Sequence, residues 1–188
     1  MFIRSERLFL RPGWPEDWAE LHALIDDEAV VRNLARAPWP YSPDDARRFA
    51  AMPQAERHPH FFVTLPGAHG SKLIGCVALA QAEGETELGY WIARSQWGKG
   101  YATEAARCLL SFARTLGHRR IVAAPFADNP ASARVLAKAG FRPTGEIRLV
   151  RSAARIAPVS ARVHAIDLAA PLDFGPQDGG YEPLRRAA

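Results

Sequence analysis

The 188-residue chain contains only two cysteines, Cys76 and Cys108, which are too few for a disulfide framework. Each falls inside an expected strand or helix, so a reducing, cytoplasmic setting is expected. No apolar run approaches the ~20 residues a helix needs to cross a bilayer. Residues 1–7 place Arg4, Glu6 and Arg7 where a secretory signal would need an apolar core, so neither a membrane partner nor export is expected. No G-x-x-x-x-G-K-[ST] occurs, and no G-x-G-x-x-G opens a helix, which removes the common nucleotide cradles. Of the six histidines only His58 and His60 are near neighbours, with Pro59 stiffening them and no matching acid pair, so no metal is expected. His164 stands alone on an expected strand. No Ser-His-Asp or Cys-His pattern is evident, which argues against a covalent acyl-enzyme. The net charge of +4 rests on scattered arginines rather than a basic stripe, so nucleic acid is not an expected partner.

What the chain does have is the composition of one ordinary globular domain, 48% hydrophobic and 23% charged, without repeats. A domain over 1–170 is expected, with a Pro- and Gly-rich tail over 171–188. Alternation and breakers place a strand at 3–12, a helix opened by Trp14-Pro15 and running to about Ile25, and a second helix from about Pro43. A hairpin over 60–66 and 72–80 turns through 67–71, and a strand follows at 85–93. A strand at 119–124 and a last hairpin over 141–150 and 159–168 complete the set. Between the first helices lies Ala37-Pro38-Trp39-Pro40-Tyr41-Ser42-Pro43, a stiff loop with two aromatics, Trp39 and Tyr41.

Two segments carry chemistry. In Trp97-Gly98-Lys99-Gly100-Tyr101-Ala102-Thr103-Glu104-Ala105, a glycine turn sits between a β-prone run and a helix whose apolar face is Ala105, Leu109, Phe112 and Leu116. Two glycines let a ligand approach the backbone, the opening N–H groups lack intrahelical partners, and the helix dipole favours an anion there. In Asp128-Asn129-Pro130-Ala131-Ser132-Ala133-Arg134-Val135-Leu136-Ala137-Lys138-Ala139-Gly140-Phe141, Asn129 reads as an N-cap, Pro130 as the first helical residue and Gly140 as the left-handed stop.

The first segment resembles the acyl-CoA motif [QR]-x-x-G-x-[GA] of the GNAT superfamily of N-acetyltransferases. Gly100, Tyr101 and Ala102 match its last three positions, while Trp97 replaces the usual Gln or Arg. The second segment is similar to the superfamily's other cofactor motif, and together they resemble the branch of ribosomal-protein N-terminal acetyltransferases. That resemblance implies a mixed α/β fold, a mostly antiparallel twisted sheet of six or seven strands flanked by about four helices. It implies acetyl-CoA as cofactor, held by Trp91, Ile92, Ala93, Trp97, Gly98, Lys99, Gly100, Tyr101, Ala102, Thr103, Asn129, Ser132, Arg134 and Lys138. The acceptor is a primary amine, small or a protein N-terminus, walled by Trp39 and Tyr41, and the protein a monomer or homodimer. The family's usual Tyr donor falls at Leu136, so Ser132 is assigned as donor or thiolate stabiliser, with capping or packing as its rival. Glu87, at the start of the strand into the turn, is assigned as general base; Glu104 is read as complementing its helix N-terminus and Glu146 as a hairpin residue. The missing Tyr keeps open an alternative, a non-catalytic acyl-CoA-binding regulatory module.

Overall fold

The computed structural model describes residues 1–68, 70–169 and 172. The first expected strand is two, β1 (Ile3–Arg4) and β2 (Phe9–Arg11), paired antiparallel. The chain reverses between them because Ser5 closes a turn with both its backbone and its hydroxyl, which accepts the Leu8 N–H at 3.0 Å. A 3₁₀ turn, Pro15–Asp17, then leads into α1 (Trp18–Ile25). The nearly buried Arg11 grips both carboxylate oxygens of Asp17 at 2.7 Å, tying β2 to the start of that helix.

Asp27 caps a further helix, α2 (Glu28–Val31), through the Ala29 N–H. Four residues give no periodicity to read, which is why the sequence did not announce it. A Ser42–Asp45 capping box opens α3 (Pro43–Ala50). Strands β3 (His60–Gly67), β4 (Gly70–Ala82) and β5 (Glu85–Ile92) follow as an antiparallel meander. A 3₁₀ turn at Arg94–Gln96 and the glycine turn lead to α4 (Tyr101–Thr115), then β6 (Arg120–Ala123), α5 (Pro130–Lys138), β7 (Arg142–Val150) and β8 (Val159–Asp167). Among the described residues the eight strands form one sheet in the order β1-β2-β3-β4-β5-β6-β8-β7, antiparallel except for β5 and β6. The sheet is thus wider than the six or seven strands expected, because the first splits in two, and α2 makes five α-helices. Of the tail expected over 171–188, Leu172 packs on the main core and the rest lies outside the described residues.

Two cores cover the two faces of the sheet. Leu88 and Ile92 of β5 join α4 and α5 in one cluster with Phe61, Val63, Leu109, Leu110 and Leu136. Trp91 joins α1, α2 and α3 in the other with Phe62, Leu73, Leu21 and Val31. Period-two alternation therefore sends Glu87, Gly89 and Trp91 towards the α1–α3 layer and Leu88, Tyr90 and Ile92 towards α4 and α5.

β5 and β6 are paired at the single register Glu87↔Val122 and then diverge. This splay opens a cleft at the end of β5. The β4 side of that end has no room: a Cβ on Gly75 would lie 2.2 Å from the Trp91 carbonyl oxygen and 2.9 Å from Ile92 Cδ1. Gly75→Ala is therefore expected to cost about 3 kcal/mol or more, because backbone must move. Denaturant unfolding of the variant measures it; unchanged stability would mean that the β4–β5 approach is looser than described.

Candidate active site

The glycine turn is built as its residues require. Gly98 (φ 76°) and Gly100 (φ 83°) are both left-handed, and nothing lies within 4 Å of where a Gly98 Cβ would stand. No side chain caps α4, so the N–H groups of Tyr101, Ala102 and Thr103 open onto this turn. Glu104, in the first turn of α4, is turned away. Its carboxylate accepts from Ser5 Oγ at 2.7 Å, from the Arg7 N–H at 2.9 Å and from Arg7 Nε at 2.7 Å. Arg7 also donates to the Lys99 carbonyl at 3.0 Å, and its guanidinium lies 4.8 Å from the Tyr101 ring centre. Trp97 donates its indole N–H to the Ile92 carbonyl at 2.6 Å, pinning the glycine turn to the end of β5. Lys99 Nζ rests on Gln96 Oε1 at 2.9 Å and the Ser95 carbonyl at 3.2 Å. Arg134 and Lys138 stand one turn apart on α5, both exposed.

At the splayed edge the three residues of β5's end differ. The Ala93 N–H donates to the Ile74 carbonyl at 2.8 Å and is spent. By the alternation of an antiparallel ladder, the Trp91 N–H also faces β4, whereas the Ile92 N–H faces the cleft. That one amide is free to meet a carbonyl oxygen in the cleft.

Across the cleft, Asn129 caps α5 by accepting the Ser132 N–H at 3.1 Å. Ser132 Oγ lies 2.6 Å from the Tyr90 hydroxyl, which also reaches the Ser132 carbonyl at 3.2 Å. Burial pushes the Tyr90 phenol up to about 12, so it is neutral at physiological pH. Leu136, one turn on from Ser132, is fully buried. Sequence reasoning passed over Tyr90; its one visible signal was that alternation puts it on the same face as Leu88 and Ile92, facing α5.

A cavity of about 750 Å³ passes through the sheet at the splay. Tyr90, Ser132 and Leu136 line it on the α5 side and Glu87 and Trp91 on the α1–α3 side. Burial is the largest influence on the Glu87 carboxyl and raises it above the ordinary glutamate value, with Arg36 and Arg148 pulling the other way. The nearby Ala124 backbone N–H also favours the charged form, by the smallest amount. Tyr41, 6% exposed, lines the cavity; Trp39, 39% exposed, is not among the lining residues. Glu146 lies on β7 in an exposed ion-pair group with Arg148 and Glu85, and the Arg148 guanidinium holds its carboxyl below the usual range.

At the mouth two distant segments are stitched together. The Ala153 N–H donates to the Ala35 carbonyl at 2.9 Å and Ser152 Oγ to the Leu34 carbonyl at 2.7 Å. This brings Arg36 and Arg151 to one rim. The cavity's other arginines are paired, Arg48 with Asp45 and Arg148 with Glu83, Glu85 and Glu146. Arg36 and Arg151 have no carboxylate within ion-pair distance among the described residues. Likewise, among those residues no group of three His, Cys, Asp or Glu is placed to hold a metal ion. No helix there is long and apolar enough to cross a membrane.

Known proteins agree with this architecture. The chain is 31% identical over 155 residues to the uncharacterized N-acetyltransferase YoaA of Bacillus subtilis, covering 78% of this chain and 85% of that one. A GNAT-family acetyltransferase from Bacillus anthracis superposes with a TM-score of 0.77 at 27% identity, over 90% of this chain and all of that one. The fold is also that of RimL, a ribosomal L7/L12 α-N-protein acetyltransferase solved with coenzyme A. Its TM-score is 0.72 at 19% identity, over 89% of this chain and 98% of that one. The profile of the acetyltransferase (GNAT) domain matches residues 7–142, most of the chain, and with the glycine turn, the splayed β5 edge and the capped α5 it makes this chain a member of the GNAT family of acetyl-CoA-dependent N-acetyltransferases.

Proposed function

We propose that the chain moves the acetyl group of acetyl-CoA directly to a primary amine, on a small molecule or a protein N-terminus, that carries an anionic group beside the amine. The observation that carries this reading is the cavity through the sheet. It puts a raised carboxylate, Glu87, on one face and Tyr90, Ser132 and Leu136 on the other.

The residues fit the cofactor's chemistry. Glycines at 98 and 100 leave the N–H groups of Tyr101, Ala102 and Thr103 open to a pyrophosphate. Lys99, Arg134 and Lys138 supply positive charge nearby, and Trp97 holds the turn in place. Asn129 fixes the α5 end that borders the thioester arm. When bound, acetyl-CoA supplies an activated acyl group on a thiol leaving group. Ile92 offers its N–H to the acetyl carbonyl, polarising it where negative charge develops. Trp91 and Ala93 frame that amide from either side. Glu87 takes the proton of an ammonium that is mostly charged at neutral pH and passes it to solvent. Tyr41 walls the acceptor side, with Trp39 at the more exposed margin of the same loop. The reaction needs both substrates at once and no metal.

Arg36 and Arg151 select the acceptor. A guanidinium bond to a carboxylate or phosphate contributes about 1.5–3 kcal/mol, roughly tenfold or more in affinity. Free amino acids and acidic N-terminal peptides are therefore expected to outrun their decarboxylated or amidated counterparts, and Arg151→Ala should raise KM for the anionic acceptor about tenfold and leave kcat near wild type. Steady-state thiol release with an amino acid and its amide measures this. Equal KM values for the pair would remove the anionic requirement.

A further inference from the structure

We propose that Tyr90 is a positioning residue for acetyl transfer, holding the Ser132 hydroxyl so that its hydrogen points at the departing sulfur; this rests on the function proposed above.

Within α5, Ser132 carries the only side-chain hydroxyl. Its backbone is fixed at both ends, the N–H on Asn129 Oδ1 and the carbonyl under the Tyr90 hydroxyl. A serine near a helix start normally turns its hydroxyl back to a carbonyl three or four residues earlier. Tyr90, arriving from β5 across the cleft, offers a 2.6 Å partner instead. Two arrangements satisfy this pair. Tyr90 donates to Ser132 Oγ, leaving the serine hydrogen free for the cavity; or Ser132 donates to Tyr90, whose own hydrogen goes to the Ser132 carbonyl. An anion forming in the cavity selects the first.

The proton count explains why a hydrogen bond, and not a proton, is what this pair gives. As the carbon–nitrogen bond forms, the carbon–sulfur bond breaks and sulfur leaves with the electron pair. A thiol ionises near 8.5, a phenol at about 12 and an aliphatic alcohol higher still. Neither hydroxyl therefore surrenders its proton to a thiolate for good. The nitrogen, starting as an ammonium, loses two protons through Glu87 to solvent, sulfur regains one from solvent, and one proton is released per turnover. In between, a charge-assisted bond from Ser132 stabilises the sulfur while its charge develops.

The experiment compares wild type, Tyr90→Phe, Ser132→Ala and the double variant by thiol release from acetyl-CoA under a saturating amine. Each single change is expected to lower kcat about tenfold or more with the acetyl-CoA KM within twofold of wild type. The double variant should be no slower than Ser132→Ala, because the two act as one unit. A wild-type kcat in Tyr90→Phe, a loss confined to KM, or losses that multiply in the double variant would overturn the proposal. Fluorinated tyrosine at position 90 keeps the ring and its packing while lowering the phenol's ionisation, and covers the case in which Tyr90→Phe does not fold. It should lose kcat at alkaline pH where wild type does not; an unmoved pH profile contradicts the inference. A wild type that releases thiol normally beside an unimpaired Tyr90→Phe sinks this inference alone. A wild type that acetylates no amine sinks the functional reading and this inference with it.

Discussion

Glu87→Gln is expected to lower kcat by about 10²- to 10⁴-fold, the usual contribution of a general base, while melting no lower than wild type at neutral pH. The two halves of this result have one cause. Glu87 sits where β5 leaves its single contact with β6, half buried against Ala124, and burial raises its carboxyl despite Arg36 and Arg148. A carboxyl raised in the folded state adds stability in acid, and that contribution is lost as pH rises through its folded value. At neutral pH the fold therefore holds a charge it resists, and glutamine removes it. Catalysis needs the opposite form. A base must be ionised, so kcat/KM of the wild type should fall in acid with a limb above the ordinary glutamate range, and that limb should vanish in Glu87→Gln. Near-wild-type turnover in the variant would pass the base's role to a water chain.

Gly100→Glu is expected to abolish the thermal stabilisation that acetyl-CoA gives the wild type. A ligand at about 100 times its dissociation constant adds roughly 2.7 kcal/mol, which for a chain of this length raises Tm by about 5–10 °C. The substitution puts a carboxylate on the α4 N-terminus, where the open amides and the dipole favour the ligand's own anion. It also strains a residue at φ 83°, so a lower Tm without ligand proves nothing by itself. Gly84→Glu supplies the matched control. Gly84 has φ 81° and open space around its Cβ, but lies in the β4–β5 turn away from the cradle. The account requires that Gly84→Glu keep the ligand shift and Gly100→Glu lose it; equal shifts would move the pyrophosphate elsewhere.

Much of this was legible in the sequence because its signals are local. The capping residue Asn129, the helix start at Pro43, the glycine turn and the alternation of β5 each act within a few residues, and the helices and strands they announce are present. What was not legible depends on contacts between distant segments. The Ser5–Leu8 reversal that splits the first strand uses one serine hydroxyl, and α2 is too short to show a period. Glu104 reads as a helix-terminus charge, yet it is committed to Ser5 and Arg7, almost a hundred residues earlier. Trp97, the departure from the usual Gln or Arg, has its reason in an indole bond to the Ile92 carbonyl. Lys99, in the glycine turn, has its ammonium held by Gln96 Oε1, a local contact the sequence alone does not reveal. Arg36 and Arg151 share a rim because Ser152 and Ala153 bond to the Leu34 and Ala35 carbonyls. Tyr90 is the clearest case. Its partner lies 42 residues away on another element, so only the fold could bring the two hydroxyls together.

The central claim is direct acetyl transfer to an amine, and the most direct measurement follows the acetyl group itself. Purified protein is mixed with acetyl-CoA labelled in the acetyl carbon and a panel of amino acids, amino acid amides and short peptides, and both products are read by mass spectrometry. The account predicts labelled acetyl-amine and free coenzyme A in equal amounts, with anionic acceptors fastest and no labelled protein intermediate. Binding of acetyl-CoA without acetyl-amine from any acceptor would contradict it and identify the chain as a non-catalytic acyl-CoA-binding module.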